Sequence, residues 1–339
     1  GFRIALHGAF GAFLDAPALS CLLAASLEIA AATKGTFRSA LIQLIEKRDP
    51  GMEKAIGALA SARGDEQAAL VIAAALAAPP FDARLARCAS KALLKLAGRG
   101  DAVVTEAVSG HLQHESHLVR EHAIVALKEL SSRGDAAVVP KLVAALADDG
   151  LRVRMAATDA LRSLAHRSDP CLTALVVDHL GHQSLDVREA ALIALQQLAA
   201  PGCADVIASI SLRMADADIE GRKALLTALQ QLAPPGNEAA VREAARRLTD
   251  SSIEVRKMAL RVLGTLAEDM PPVERRVISG SLKDSHASVR KTAITSLEKL
   301  ATKCSWLQSL LLDRLEDPAP CVQCAAILAA GRICDLDDE

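Results

Sequence analysis

A Val-Arg dipeptide recurs along this chain of 339 residues at a nearly constant interval of 34 residues. The dipeptide copies are Val119-Arg120, Val153-Arg154, Val187-Arg188, Val255-Arg256 and Val289-Arg290, and related copies begin at Gly51, Leu85, Gly221 and, after 33 residues, Val322. Self-similarity at a fixed period of this size is typical of a solenoid, because one repeat cannot bury its apolar face alone. The period therefore predicts about nine stacked structural units.

Apolar residues follow the dipeptide at helical spacing. With the valine as position 0 and about 100° per residue, positions 0, 4, 7, 8 and 11 fall on one face. They hold Val, Ala and Leu, as in Val153, Ala157 and Leu161. The chain has no Tyr, one Trp and five Phe, so Ala, Leu, Val and Ile must build the core, which favours packed helices over sheets. We predict an all-α solenoid with two helices in each repeat.

The predicted repeat array covers residues 37–334. Residues 1–36 are predicted to form an apolar helical segment, a degenerate first repeat, and residues 335–339 an acidic tail. Asp15, Pro17 and Glu28 interrupt the apolar stretch, whereas a membrane span needs about 20 nearly uncharged residues. A targeting or membrane-facing remnant and a docking surface are the alternatives for this segment.

Arg-Gly-Asp triplets stand at three joints between repeats, and they begin at Arg63, Arg99 and Arg133. A glycine just past a helix end can adopt the left-handed conformation, and an aspartate before the next helix can cap its free amides. A cell-adhesion motif is the alternative, but recurrence at the joints favours the turn. We predict Gly-Asp turns at these joints.

The arginine at position 1 lies on the flank of the apolar face, where its charge needs a partner. An aspartate often stands five residues before position 0. We predict a structural ladder of charge-assisted hydrogen bonds between the two sets, with ligand binding as the alternative. The ladder residues are Arg120, Arg154, Arg188, Arg222, Arg256, Arg290, Asp148, Asp216, Asp250, Asp284 and Asp317.

Two clusters of possible metal ligands, one of histidines and one of cysteines, suggest a metal site. His111, His114, His117 and His122 are close in sequence, but His114 occupies an aspartate position of the ladder. His182 does so two repeats later, about 20 Å away at the spacing of packed helices, so the two cannot share a metal. Cys321 and Cys324 lack the second ligand pair of a zinc site. We predict no catalytic residue, no metal site and no cofactor.

These residues resemble HEAT repeats. The shared pattern is Leu-x-Asp, a short turn, and then Val-Arg, as in Leu146 to Arg154, Leu248 to Arg256 and Leu282 to Arg290. The period is shorter than in most HEAT units and is similar to the short units of phycobilisome lyases. The resemblance implies a right-handed superhelix with the second helices lining a concave face. Deoxyhypusine hydroxylases of this class hold two irons with several His-Glu pairs. Here only His114-Glu115 occurs, at a predicted turn, so that activity is not expected.

Positions 2, 6, 9 and 13 of the second helices face solvent and form what we call the second-helix strip. Position 2 changes from Glu121, Met155 and Glu189 to Lys223, Lys257 and Lys291, and Arg261, Gln196 and Gln230 also lie on the strip. We predict a non-catalytic scaffold, adaptor or assembly subunit whose partner protein brings an acidic segment to Lys223, Lys257, Arg261, Lys291, Gln196 and Gln230.

Three alternatives remain for this strip: an ordinary solvated face, a lyase-like enzyme acting on a bound chromophore, and nucleic-acid binding. The net charge of −2 provides no global attraction to nucleic acid or anionic lipid. Few aromatic side chains are available for base stacking. Eight cysteines without a disulfide pattern predict reduced thiols in a soluble intracellular protein, with the cytoplasm as the expected compartment and an organelle as the alternative.

Overall fold

The computed structural model describes residues 52–60, 65–77, 83–266, 277, 279–301 and 305–337. All regular secondary structure in these ranges is helical, and the all-α prediction is confirmed. The predicted N-terminal segment 1–36 and the helix expected at 37–47 lie outside the described residues. The chain divides into two units, Gly1–Val138 and Val139–Glu339.

Unit 1 has two layers of helices. Its described helices are α1 (Met52–Leu59), α2 (Glu66–Ala75), α3 (Ala83–Leu96), α4 (Ala102–Ser109), a 3-10 turn (Gly110–Gln113) and α5 (His117–Leu130). The second helices α1, α3 and α5 stack in that order, and the first helices α2 and α4 pack together beside them. Each helix pair therefore buries its apolar side against the next pair.

Unit 2 continues the same pattern over more repeats. Its described helices are α6 (Val139–Ala144), α7 (Leu151–Leu164), α8 (Pro170–Asp178), α9 (Leu185–Leu198), α10 (Ala204–Asp216), α11 (Ile219–Leu232), α12 (Glu238–Arg246), α13 (Ile253–Leu266), α14 (Ala287–Ala301), α15 (Ser305–Leu312) and α16 (Pro320–Asp337). The second helices α7, α9, α11, α13, α14 and α16 stack in chain order, while α6, α8, α10 and α12 form the other layer. This is the helix stacking of an α-solenoid. The right-handed sense and the total of nine repeats stay predictions.

The core lies between the two layers and follows the predicted helix face. In α7, Val153, Ala157, Leu161 and Leu164 are all buried. The alanine at position 4 is almost completely buried in every described repeat that has it, and its small side chain lets neighbouring second helices approach closely. Burial of each leucine contributes about 1.5–3 kcal/mol, so the repeated apolar face is the main stabilising feature of each unit.

The joints between repeats use glycines with positive φ. Gly100, Gly134, Gly202 and Gly236 have φ angles of 73–86°. The Gly100 amide donates to the Leu130 carbonyl of the following second helix at 2.7 Å, and Gly202 and Gly236 make the same bond to their following helices. Asp101 caps α4 by accepting the amides of residues 103 and 104. The predicted Gly-Asp turns are confirmed at Arg99 and Arg133, and Gly64 lies outside the described residues.

Ser168 occupies the same joint position without being glycine, and its φ is 57°. Its amide donates to the Leu198 carbonyl at 2.8 Å, as the glycines do in their joints. A side chain in the left-handed region is strained. We therefore expect Ser168→Gly to raise the free energy of unfolding of unit 2 by about 0.5 kcal/mol, although the bond from the Ala200 amide to the Ser168 hydroxyl is lost.

Urea denaturation of the full chain, followed by circular dichroism, measures this change. Ser163→Gly is the control, because Ser163 lies inside α7 and the same substitution there should destabilise that helix. Equal losses from both substitutions would contradict the assignment of strain to Ser168.

Candidate functional site

The arginines at position 1 hold the turn that precedes their own helix. Nη1 of Arg154 donates to the carbonyls of Asp148 and Asp149, both at 2.9 Å. Equivalent bonds to the two turn carbonyls are made by Arg120, Arg188, Arg256 and Arg290, and Arg222 bonds the Ala217 carbonyl. Sequence reasoning missed this clamp, whose only signal was the constant spacing of five to six residues between turn and arginine.

Three arginines also bridge to the ladder aspartate of the next repeat. Arg256 meets Asp284 through two bonds of 2.8 and 3.1 Å, and Arg290 meets Asp317 through two bonds of 2.8 and 2.7 Å. Arg222 and Asp250 form the third pair, with Nε 2.9 Å from Oδ2. Each of these aspartates also accepts the backbone amide two residues later. The structure thus brings together the ladder residues of neighbouring repeats from α11 to α16.

The ladder residues of the earlier repeats of unit 2 are placed differently. Arg154 pairs with Asp186, at 2.9 Å, because His182 stands at the aspartate position and accepts the Ser184 amide through Nδ1. Asp148 accepts the Gly150 amide at 2.8 Å. In unit 1, His114 likewise accepts the Ser116 amide at 3.0 Å. At His182 the turn is retained, and Asp186 replaces the ladder aspartate as the partner of Arg154.

Asp216 is exposed at the end of α10, and within the described residues no ladder arginine forms an ion pair with it. The physical reason is that α10 remains α-helical through Asp216, whereas neighbouring first helices end in a 3-10 turn. Arg188 instead approaches Glu220, at 4.0 Å. In this repeat Gly221 stands at the valine position, and a Cβ atom there would lie 3.0 Å from Asp218 Oδ1 and 3.1 Å from the Ala217 Cβ.

The bridge between Arg290 and Asp317 is the most buried ladder contact at the end of unit 2. Asp317 is 2% exposed. The hydrogen bond from Arg290 lowers the pKa of Asp317 below its ordinary value, and the same bond raises the pKa of Arg290. A guanidinium group that is occupied on both sides has few donors left for a ligand, so the contacts favour a structural role for the ladder.

The histidines that suggested a metal site make separate local bonds. His111 Nε2 lies 2.9 Å from the Ala73 carbonyl, and burial lowers the pKa of His111. His122 Nδ1 lies 2.8 Å from the Leu118 carbonyl of its own helix. Among the described residues, no three His, Cys, Asp or Glu side chains are arranged to hold a metal ion. Cys321 and Cys324 are exposed near the start of α16.

Part of the basic charge on the second-helix strip is paired within its own helices. Lys223 Nζ lies 2.8 Å from Glu220, and Lys257 Nζ lies 3.1 Å from Glu254. Gln196 donates to Gln231 of the next second helix at 2.6 Å, and Gln230 is half-buried. These residues therefore lie on the strip, but the two lysines present compensated charge.

Arg261 and Lys291 differ from these lysines. Both are exposed, and within the described ranges neither takes part in an ion pair. The position three residues before Lys291 holds Ser288, where the other two helices have glutamate. Among the described residues of unit 2, the strip cations without an ion pair are therefore Arg261 on α13 and Lys291 on α14.

Exposed apolar side chains lie on α7, α9 and α11, at positions 2 and 6 of the strip and at position −2, which the helical spacing places on the same side. Leu151, Leu185 and Ile219 begin these helices, and Met155 and Ile193 lie one and two turns further along. We call these five residues the apolar row, and their exposed fractions are 47–63%. Sequence reasoning missed the row, although Leu151, Leu185 and Ile219 are 34 residues apart. Exposed apolar residues clustered on neighbouring helices indicate an interaction site more often than scattered ones do.

A family model described as HEAT repeats matches residues 86–162. A second model, described as HEAT repeat associated with sister chromatid cohesion, matches residues 243–263 and 275–297. No curated protein matches the chain. The structure of human deoxyhypusine hydroxylase in complex with glycerol is similar at 20% identity, covering 80% of this chain and 97% of that one, with a TM-score of 0.34. At that score the likeness supports no conclusion about fold or activity.

No helix in the described ranges has both the length and the apolarity that crossing a bilayer requires. The repeat matches fall on helix pairs of both units, and they agree with the stacked pairs, the Leu-x-Asp turns and the position-1 arginines. The parts of the chain that these models match are therefore HEAT repeats.

Proposed function

We propose that the chain is a non-catalytic protein-binding scaffold whose partner covers the second-helix strip of unit 2. The observation that supports this proposal is the apolar row beside the uncompensated charges of Arg261 and Lys291. Protein interfaces combine an apolar centre with a polar rim, and arginine is enriched in them. HEAT repeats commonly present such extended surfaces to proteins.

We expect the double substitution Leu151→Asp and Leu185→Asp to reduce partner capture at least tenfold. Both side chains are more than half exposed, so the change should leave the fold intact while placing two carboxylates where the partner's apolar residues would bind. Affinity capture from native extract with the tagged chain, quantified by mass spectrometry, measures the effect.

Leu212→Asp is the matched control, because Leu212 is 78% exposed on α10, a first helix in the other layer. Its capture profile should equal that of the wild type. If the double variant retained the same partners in the same amounts, the proposed surface would be wrong.

The charged residues provide an independent test of the same surface. Reversal of Arg261 and Lys291 to glutamate should weaken capture more than reversal of Lys223 and Lys257, because the latter pair already faces Glu220 and Glu254. The difference should shrink at high salt.

A further inference from the structure

We infer that the element bound by the strip is an amphipathic α-helix with an apolar stripe and an acidic end. This inference depends on the function proposed above and adds the chemistry of the partner. The helix would lie across α7, α9 and α11 with its apolar stripe and reach α13 and α14 with its acidic end.

The width of the apolar row fits a helix. Leu151 and Met155 are separated by four residues on α7, and Leu185 and Ile193 by eight residues on α9. At 1.5 Å per residue these separations are about 6 and 12 Å. An α-helix with its side chains is about 10–12 Å wide, whereas one extended strand occupies only about 4.8 Å. A single strand would leave part of the row uncovered.

The spacing of the row also suits a helix. Neighbouring packed helices are about 8–10 Å apart, and residues seven positions apart on an α-helix are about 10.5 Å apart. Apolar residues at seven-residue intervals would therefore meet Leu151, Leu185 and Ile219 in turn. The four steps from α7 to α14 span roughly 32–40 Å, which corresponds to roughly 21–27 helical residues.

Charge distinguishes the two ends of the bound helix. On α7 and α9 the strip side carries the apolar row together with the Arg162–Asp159 ion pair and the exposed Glu189, whereas Arg261 on α13 and Lys291 on α14 are exposed cations. Glu220 and Glu254 already compensate Lys223 and Lys257. A partner residue that approaches Arg261 and Lys291 gains most if it is a carboxylate. The apolar half of the bound helix should therefore be followed by acidic residues.

Two synthetic peptides of about 24 residues test this inference against the full chain by fluorescence anisotropy. Both carry leucine at helical spacing over the first half, and they differ only at the other end, where one has three glutamates and the other three lysines. We expect the glutamate peptide to bind the wild type at least tenfold more tightly than the lysine peptide. Leu185→Asp should weaken it at least tenfold, and Arg261→Glu with Lys291→Glu should reverse the preference. Leu212→Asp should change neither value.

Equal binding of the two peptides, or an affinity unaffected by Leu185→Asp, would overturn the helix assignment. So would the absence of binding by either peptide while native partner capture still depends on Leu151 and Leu185. In that last case the proposed function stands and only the partner class is wrong. If partner capture did not depend on the apolar row, the proposed function itself would be wrong.

Discussion

Gly264→Ala is expected to destabilise the end of unit 2 by about 3 kcal/mol. Gly264 lies in α13 where this helix packs against α14. A Cβ atom at this position would lie 2.2 Å from the Ser296 carbonyl oxygen and 3.0 Å from its carbonyl carbon. Both atoms belong to backbone, so no side chain can move aside, and the two helices would have to separate. The gain in helix propensity, about 1 kcal/mol, offsets only part of this cost.

Hydrogen exchange measures the effect repeat by repeat. Because each repeat contacts only its neighbours, amide protection should fall in α13, α14 and α16 and remain near the wild-type level in α7 and α9. Gly280→Ala is the control: Gly280 is helical, and nothing lies within 4 Å of the Cβ atom that alanine would add. That variant should be neutral or slightly stabilised, and an equal loss of protection in both variants would refute the clash.

Gly264 also shows what the sequence could not reveal. By its position in the repeat it falls on the second-helix strip, together with Gln196 and Gln230. A helical wheel assigns the direction of a side chain around one axis, but it does not give the distance to the next helix. The close approach at Ser296 depends on that distance, so the helical wheel alone could not identify this contact.

The core and the turns could be predicted because their signals are local and periodic. Val153, Ala157 and Leu161 are buried where the helical period places them. The Gly100-Asp101 turn follows from the left-handed preference of glycine and the capping ability of aspartate. Each of these features depends on residues within about one repeat, and the repetition along the chain makes the pattern recognisable.

The carboxylate partner of each ladder arginine was harder to predict, because the two residues of each ion pair are about 30 positions apart in sequence. The spacing alone paired arginines with aspartates, yet Arg154 bonds Asp186 and Arg188 approaches Glu220. Glu220 also pairs with Lys223 of its own helix. Where a histidine or a longer first helix changes the turn, a nearby carboxylate on the next second helix takes the place of the ladder aspartate.

The apolar row was missed for a related reason. Leu151, Leu185 and Ile219 stand two residues before the valine position, outside positions 2, 6, 9 and 13 that define the strip. Their exposure is visible only when neighbouring helices are in place. The second-helix strip of unit 2 thus has an apolar part and, on Arg261 and Lys291, a smaller basic part.

The ladder arginine has two roles, to hold the turn before its own helix and to bridge to the next repeat, and in the last repeat only the first role is filled. Gln323 stands at position 1, and its Nε2 donates to the Asp317 carbonyl at 2.8 Å, as the arginine Nη1 does in earlier repeats. Glutamine can therefore hold the turn of its own helix. The bridge between repeats, by contrast, requires a guanidinium group that reaches the next aspartate, as Arg290 reaches Asp317.

Removal of that bridge by Asp317→Ala is expected to cost about 3 kcal/mol, because it leaves the Arg290 charge buried without its carboxylate. It also removes the acceptor of the Ala319 amide, 3.0 Å away, which lies directly before the first residue of α16. Hydrogen exchange should show the loss chiefly in α16. Glu316→Ala removes an exposed carboxylate one residue away and should change stability by less than about 0.5 kcal/mol. Equal effects of the two substitutions would show that the bridge contributes little.

The pH dependence of the unfolding free energy provides a second test of the bridge between Arg290 and Asp317. Since Arg290 lowers the pKa of Asp317 in the folded chain, the ionised carboxylate is favoured on folding, and its contribution is complete above the ordinary carboxyl pKa of 3.8. The contribution is lost as the pH falls through the lowered value. The difference in unfolding free energy between the wild type and Asp317→Asn should therefore be constant from about pH 7 to pH 5 and should shrink below about pH 4. If this difference in unfolding free energy increased as the pH fell, the effect of Asp317→Asn would have to arise from contacts other than the Arg290 hydrogen bonds.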